Sequence, residues 1–185
     1  MNKIRKITSF LLSFAIILWN PLTIYAEEEK PLNSKVSEEV STEQVAVEPT
    51  ITLGPPVAIT VYRKSNVCGI YDANGQLIKA FFVSTGKPGH QTPLGTYQIY
   101  QHTDNGDYHL MVDGTYARFC MRFKEGGYMF HSVCYANKGD KEPIPQEVTD
   151  IGTSVSRGCV RLNVADAEWL YNNIPNGCLV VILDY

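Results

Sequence analysis

Beyond its N-terminus the chain lacks a long apolar run. The run that it has, Ile7 to Trp19, is interrupted by Thr8, Ser9 and Ser13, and it falls short of the roughly 20 residues a membrane-spanning helix wants. A dominant charge of one sign is also missing. Sixteen Lys and Arg stand against 19 Asp and Glu, a net charge of −3, which gives no global reason to expect nucleic acid as a partner. The histidines and cysteines lack the paired short spacings of a zinc site, so no metal and no cofactor is expected. There is no internal repeat, and only one stretch reads as helix. The cysteine count is five. In an exported protein an odd count leaves at least one thiol free or paired to another chain.

What is present divides the chain into three. Residues 1–26 have the layout of a secretory signal peptide: Lys3, Arg5 and Lys6, then the apolar run, then Ala26 as a small residue at the cleavage point. An uncleaved membrane anchor is the alternative. Either way the domain is expected outside the cytoplasm, secreted or held at the cell wall. Residues 27–54 form an acidic linker with seven Glu against Lys30 and Lys35. It buries too little apolar surface to offset the entropy of ordering, so disorder is expected there. Residues 55–185 carry the domain.

In that domain, short β-rich runs follow one another at close spacing. They are Val57–Tyr62, Val67–Tyr71, Leu77–Val83, Gly95–Tyr100, Tyr108–Val112, Tyr116–Phe123, Tyr128–Val133 and Cys178–Leu183. Asn74-Gly75 marks a hairpin turn. This pattern predicts a mainly β fold, a sandwich of mixed sheets with one or few short helices. Asn163 is a good N-cap for a helix over Val164–Asn173, which Pro175 and Gly177 stop. Cys134 to Thr149, polar and proline-containing, reads as a loop: a lid over a cleft or a passive surface insertion.

Cys68, Cys120 and Cys178 lie in expected strands, where a cysteine is by default a small buried hydrophobe; a disulfide among them stays undecided. Cys159 has a different setting, Ser156-Arg157-Gly158-Cys159-Val160-Arg161. Two permanent cations beside it favour thiolate if they point at the sulfur. Gly158 lets the backbone approach a substrate closely, and its amide is a candidate oxyanion donor. A buried cysteine in a glycine turn with two solvated arginines accounts for the same residues equally well. Of four histidines, His90, His102 and His109 read as loop or turn residues. His131 closes a strand and is the candidate base. Cys134 is the rival nucleophile; if the strand continues it faces away from His131.

Taken together these residues resemble the L,D-transpeptidase catalytic domain, the YkuD domain. The resemblance rests on His131, on the Ser-Arg-Gly-Cys-Val-Arg run, and on Ser84-Thr85-Gly86 and Thr92-Pro93-Leu94-Gly95, over about Val57 to Leu183. Arg157 stands where the family often has a second histidine. The resemblance implies a β-rich L,D-transpeptidase fold and peptidoglycan stem peptides as donor and acceptor. It implies Cys159 as nucleophile, His131 as proton donor and acceptor, and the Ser132 carbonyl orienting the imidazole. Gly158 would supply an oxyanion amide, and Arg161 would position the loop and stabilise thiolate. Ser156, Arg157, Tyr116 and Tyr128 are the substrate-contacting candidates, with one of the tyrosines assisting the oxyanion. Carbapenems would act as inhibitors. An L,D-carboxypeptidase or a non-catalytic wall-binding module of the same fold fits the same motifs, and a membrane is expected only through an uncleaved N-terminus.

Overall fold

The computed structural model describes residues 53–185; the expected signal segment and most of the linker lie outside them. Strands β1 (Pro56–Tyr62), β2 (Val67–Asp72) and β3 (Leu77–Phe82) form an antiparallel meander. The turn between β2 and β3 needs a left-handed residue, and Gly75 takes it at φ +75°. A two-residue strand, β4 (Thr85–Gly86), and β5 (Gly95–Gln98) follow. The last strand, β13 (Leu179–Leu183), runs parallel to β1 and antiparallel to β5, giving a five-stranded mixed sheet in the order β3-β2-β1-β13-β5.

A second, four-stranded sheet has the order β12-β10-β9-β6, from β6 (Gln101–His102), β9 (Met121–Lys124), β10 (Tyr128–Ser132) and β12 (Val160–Leu162). Alternation sends Ile59, Val61, Val180 and Ile182 of the first sheet, and Met121, Phe123, Phe130, Val160 and Leu162 of the second, into one buried core. Burying each such side chain is worth about 1.5–3 kcal/mol. Two smaller pairings complete the fold: the hairpin β7 (His109–Leu110) with β8 (Tyr116–Ala117), and β11 (Ser154–Ser156) beside β4.

Helix α2 (Val164–Asn173) has the bounds that the sequence predicts. The Asn163 side chain accepts the Asp166 N–H at 2.8 Å, and Leu170 and Ala167 face the core. Two expectations change, and two strands are added. The run over Tyr116–Phe123 is not one strand, because Phe119 adopts φ +56° and breaks it between β8 and β9. The stretch from Cys134 to Thr149 contains a short helix, α1 (Pro145–Thr149). The chain around Cys159 forms two three-residue strands, too short to leave a periodic signal.

Candidate active site

Register decides which side chains meet. β10 pairs with β12 as Phe130↔Val160, His131↔Arg161 and Ser132↔Leu162, and with β9 as Met129↔Arg122 and Phe130↔Met121. Successive residues face opposite sides of a sheet. Phe130, Val160, Leu162 and Met121 take the core side. Cys159, Arg161, Met129, His131 and Arg122 are therefore left on the other, and they line one cleft of about 300 Å³. The fold's hydrophobic alternation thus brings His131 and Cys159 together from positions 28 residues apart.

His131 is 1% exposed. Its Nδ1 lies 2.6 Å from the Ser132 carbonyl oxygen. A carbonyl only accepts, so Nδ1 carries the proton and Nε2 keeps its lone pair. Nε2 is buried and has no hydrogen-bond partner. Burial, with the Arg161 guanidinium second, holds the imidazole pKa down at about 4. The ring is therefore neutral at physiological pH, a base with a free lone pair.

That value also sets an acid sensitivity. Unfolded histidine titrates near 6.5, so between about pH 6.5 and 4 the unfolded chain binds the proton that folded His131 refuses. Stability is then full above pH 6.5 and falls as pH drops, by on the order of 3 kcal/mol in all. Urea unfolding of the wild-type and His131→Gln proteins from pH 7 to 4.5 measures it: the variant loses less stability on acidification. Parallel curves would refute the burial account.

Cys159 is half-buried, and its thiol points at the Gly127 carbonyl oxygen, 3.4 Å away. Burial raises its pKa above the ordinary thiol value. The Met129 amide, Arg161, Arg157 and Arg122 oppose that shift without overcoming it. Both arginines thus favour thiolate, as the sequence suggests, but burial outweighs them. Arg161 is tied to Glu147 at 3.0 Å, and Glu147 also accepts the Cys134 N–H at 2.6 Å. Arg157 is paired with Asp113 at 2.5 Å. The resting pair is a thiol beside a neutral imidazole. Cys134 lines the same cleft rather than facing away, but burial and Glu147 push its thiol up to about 12. All five cysteines are free; Cys68, Cys120 and Cys178 are buried.

The Cys159 loop is held from within. Ser156 Oγ accepts the Gly158 N–H at 3.1 Å and donates to the Cys159 carbonyl at 2.6 Å. Ser156 is thus buried and occupied rather than turned to substrate, and the Gly158 amide is already spent. Gly158 sits at φ +117° under the Tyr128 ring, whose Cε1 would lie 2.7 Å from an added Cβ. Tyr128 packs on this glycine, Tyr116 pairs with Leu110 next to the turn of the β7–β8 hairpin, and neither lines the cleft. The cleft is covered by that hairpin, with Leu110 and Met111 lining it, and not by the 134–149 stretch, which contributes only Cys134. Asp113 near the hairpin tip reaches Arg157 across the mouth.

The upstream motifs support the loop from below. Ser84 exchanges both backbone hydrogen bonds with Arg161, at 2.8 and 2.9 Å. Thr85 Oγ1 donates to Asn66 Oδ1 at 2.8 Å, and the Gly86 N–H donates to Thr92 Oγ1 at 2.9 Å. Gly86 is irreplaceable on steric grounds, since a Cβ there would lie 2.0 Å from the His90 carbonyl oxygen. Glu147, Asp113 and Arg122 carry no local signal in the sequence, and His109, which reads there as a turn residue, lines the cleft. Among the described residues no cluster of three or more His, Cys, Asp or Glu side chains could hold a metal.

The model of the L,D-transpeptidase catalytic domain, YkuD, matches residues 56–182. A putative L,D-transpeptidase, YciB, of Bacillus subtilis (strain 168) is 36% identical over 94 residues, which are 49% of this chain and 46% of that protein. A putative L,D-transpeptidase, YkuD, of Bacillus licheniformis is 27% identical over 69% of this chain and 66% of its own length. L,D-transpeptidase 3 of Mycobacterium tuberculosis, solved in complex with a faropenem-derived adduct, has the same fold at a TM-score of 0.55 and 19% identity, over 70% of this chain and 61% of that one. The match to YciB thus spans about half of that relative. With the family model covering nearly all the described residues, and a mostly β fold of several mixed sheets shared with solved L,D-transpeptidases, this chain belongs to the L,D-transpeptidase catalytic-domain family.

Proposed function

We propose that the protein forms 3→3 cross-links in peptidoglycan through a thioester on Cys159. The observation that carries this reading is the buried, unpartnered Nε2 of neutral His131 in the same cleft as the Cys159 thiol. Nε2 takes the thiol proton as Sγ attacks the carbonyl of the third residue of a donor tetrapeptide. The Ser132 carbonyl holds the Nδ1 proton and so stabilises the imidazolium that forms. The tetrahedral oxyanion is held by the Cys159 amide, because that of Gly158 is committed to Ser156. Collapse breaks the bond to the terminal D-Ala, whose amine leaves with the proton from Nε2. The side-chain amine of a second stem then attacks the thioester. His131 takes its proton, and Sγ departs to be reprotonated.

The basic, apolar, small-residue layout of residues 1–26 supports export to the wall, where such stems are found. Incubating the purified protein with disaccharide-tetrapeptide is the direct test. Mass spectrometry is expected to show a cross-linked dimer with release of D-Ala. Tripeptide without dimer would make the enzyme an L,D-carboxypeptidase, with water as the acceptor. No reaction would remove the catalytic reading.

A further inference from the structure

Three arginines line the catalytic cleft, and they are not equivalent. Arg161 is paired with Glu147 and Arg157 with Asp113. Arg122 has no carboxylate partner among the described residues. Its one side-chain hydrogen bond runs from Nη2 to Nε2 of His109, at 3.4 Å. His109 Nδ1 in turn lies 2.5 Å from Asp104 Oδ2. The chain Asp104–His109–Arg122 therefore holds the guanidinium through the imidazole ring and leaves its other N–H groups without a side-chain partner among the described residues. Arg122 and His109 stand as a partition. On one side is the cleft with the thiol, and on the other a polar cleft of about 490 Å³.

We propose that Arg122 is a carboxylate-binding residue, whose guanidinium takes the terminal carboxylate of the donor stem, one residue past the carbonyl that Cys159 attacks. This rests on the donor chemistry proposed above. A guanidinium presents parallel N–H donors that match the two oxygens of a carboxylate, and a cation with no directly bonded carboxylate is stabilised by a ligand that supplies one. Position agrees. Arg122 pairs with Met129, and Cys159 directly precedes the Phe130↔Val160 pair, so the three lie at one level of the sheet. Two strand spacings, about 10 Å, separate the outer backbones. A carboxylate one residue beyond the attacked carbonyl lies about 4 Å further along the peptide, within the span over which the arginine side chain reaches back. The other two arginines would have to give up an acid to do the same.

The test compares Cys159 acylation, by intact mass against time, for three donors: disaccharide-tetrapeptide ending in free D-Ala, the same ending in the carboxamide of D-Ala, and one whose third residue lacks a side-chain carboxylate. The wild-type protein is expected to prefer the free acid over the carboxamide by about 100-fold, the order that hydrogen bonds to a charged group supply. In Arg122→Gln that ratio collapses toward one; in Arg122→Lys, which keeps the charge but not the paired donors, part of it returns. A ratio left unchanged in Arg122→Gln, with both rates lowered alike, would make Arg122 structural and overturn the proposal. A preference that follows the third-residue carboxylate would overturn the assignment to the terminal one. Acylation of the wild type by none of the donors is distinguishable from both, and fails the parent reading.

Discussion

With Cys159 replaced by alanine the protein is expected to gain no mass on incubation with faropenem, whereas the unaltered chain gains one covalent adduct. The relative from Mycobacterium tuberculosis solved with a faropenem-derived adduct motivates the reagent; the geometry motivates the position. Five free thiols are available, and four are poor nucleophiles. Burial pushes Cys120 and Cys134 up to about 12 and Cys178 to about 11, and Cys68 higher still. Cys159 is also raised, but it is half-buried and shares its cleft with a histidine whose lone pair is free. Turnover of the tetrapeptide in the same variant is expected to fall by roughly 10⁴-fold or more, as when the nucleophile of an acyl-transfer site is removed. Cys134 lines the cleft too and is the one credible substitute. A surviving adduct that maps to Cys134 would transfer the nucleophile's role to it and sink the assignment.

How far the sequence revealed this arrangement differs by element. The helix over Val164–Asn173 was legible because its signal is local: a capping Asn163, an apolar stripe and Pro175 after it. The first three strands were legible for the same reason, with Asn74-Gly75 between β2 and β3. The break at Phe119 was not. A phenylalanine reads as a strand former, and its left-handed backbone is imposed by distant packing, with its N–H reaching the Gly106 carbonyl at 3.3 Å. His131 and Cys159 could be named from their motif, yet the state of the thiol could not. Its sign depends on burial, and the arginines that look so favourable in sequence are each tied to an acid, Glu147 or Asp113, that no local pattern announces. Ser156 shows the same limit. Its residue type suits substrate contact, but its direction is inward, and only the fold shows that it closes the loop on Gly158 and Cys159.

Gly158 makes that closure a structural requirement, and alanine at this position is expected to lower both stability and acylation. Two independent causes act. At φ +117° a side chain strains the backbone, at a cost of order 1–3 kcal/mol. In addition, the new Cβ would fall 2.7 Å from Tyr128 Cε1. Tyr128 cannot swing away freely, since its ring packs on the core and lies under the Lys124 ammonium, 5.1 Å from the ring centre. Overpacking of this kind adds about 1–3 kcal/mol. Urea unfolding of Gly158→Ala is therefore expected to show a loss of roughly 2–6 kcal/mol. Because the loop carries the thiol, a displacement of about 1 Å is enough to slow acylation around 100-fold. A second substitution separates the causes. Tyr128→Ala removes the contact but leaves the dihedral, so the double variant, measured against Tyr128→Ala alone, regains the packing part of the loss and none of the strain. If Gly158→Ala alone unfolded at the wild-type midpoint, neither cause would be real. If the double variant regained everything, the glycine would be there for Tyr128 alone. The expected partial recovery means that the sequence needs glycine before Cys159 twice over, once for the turn and once for the ring that covers it.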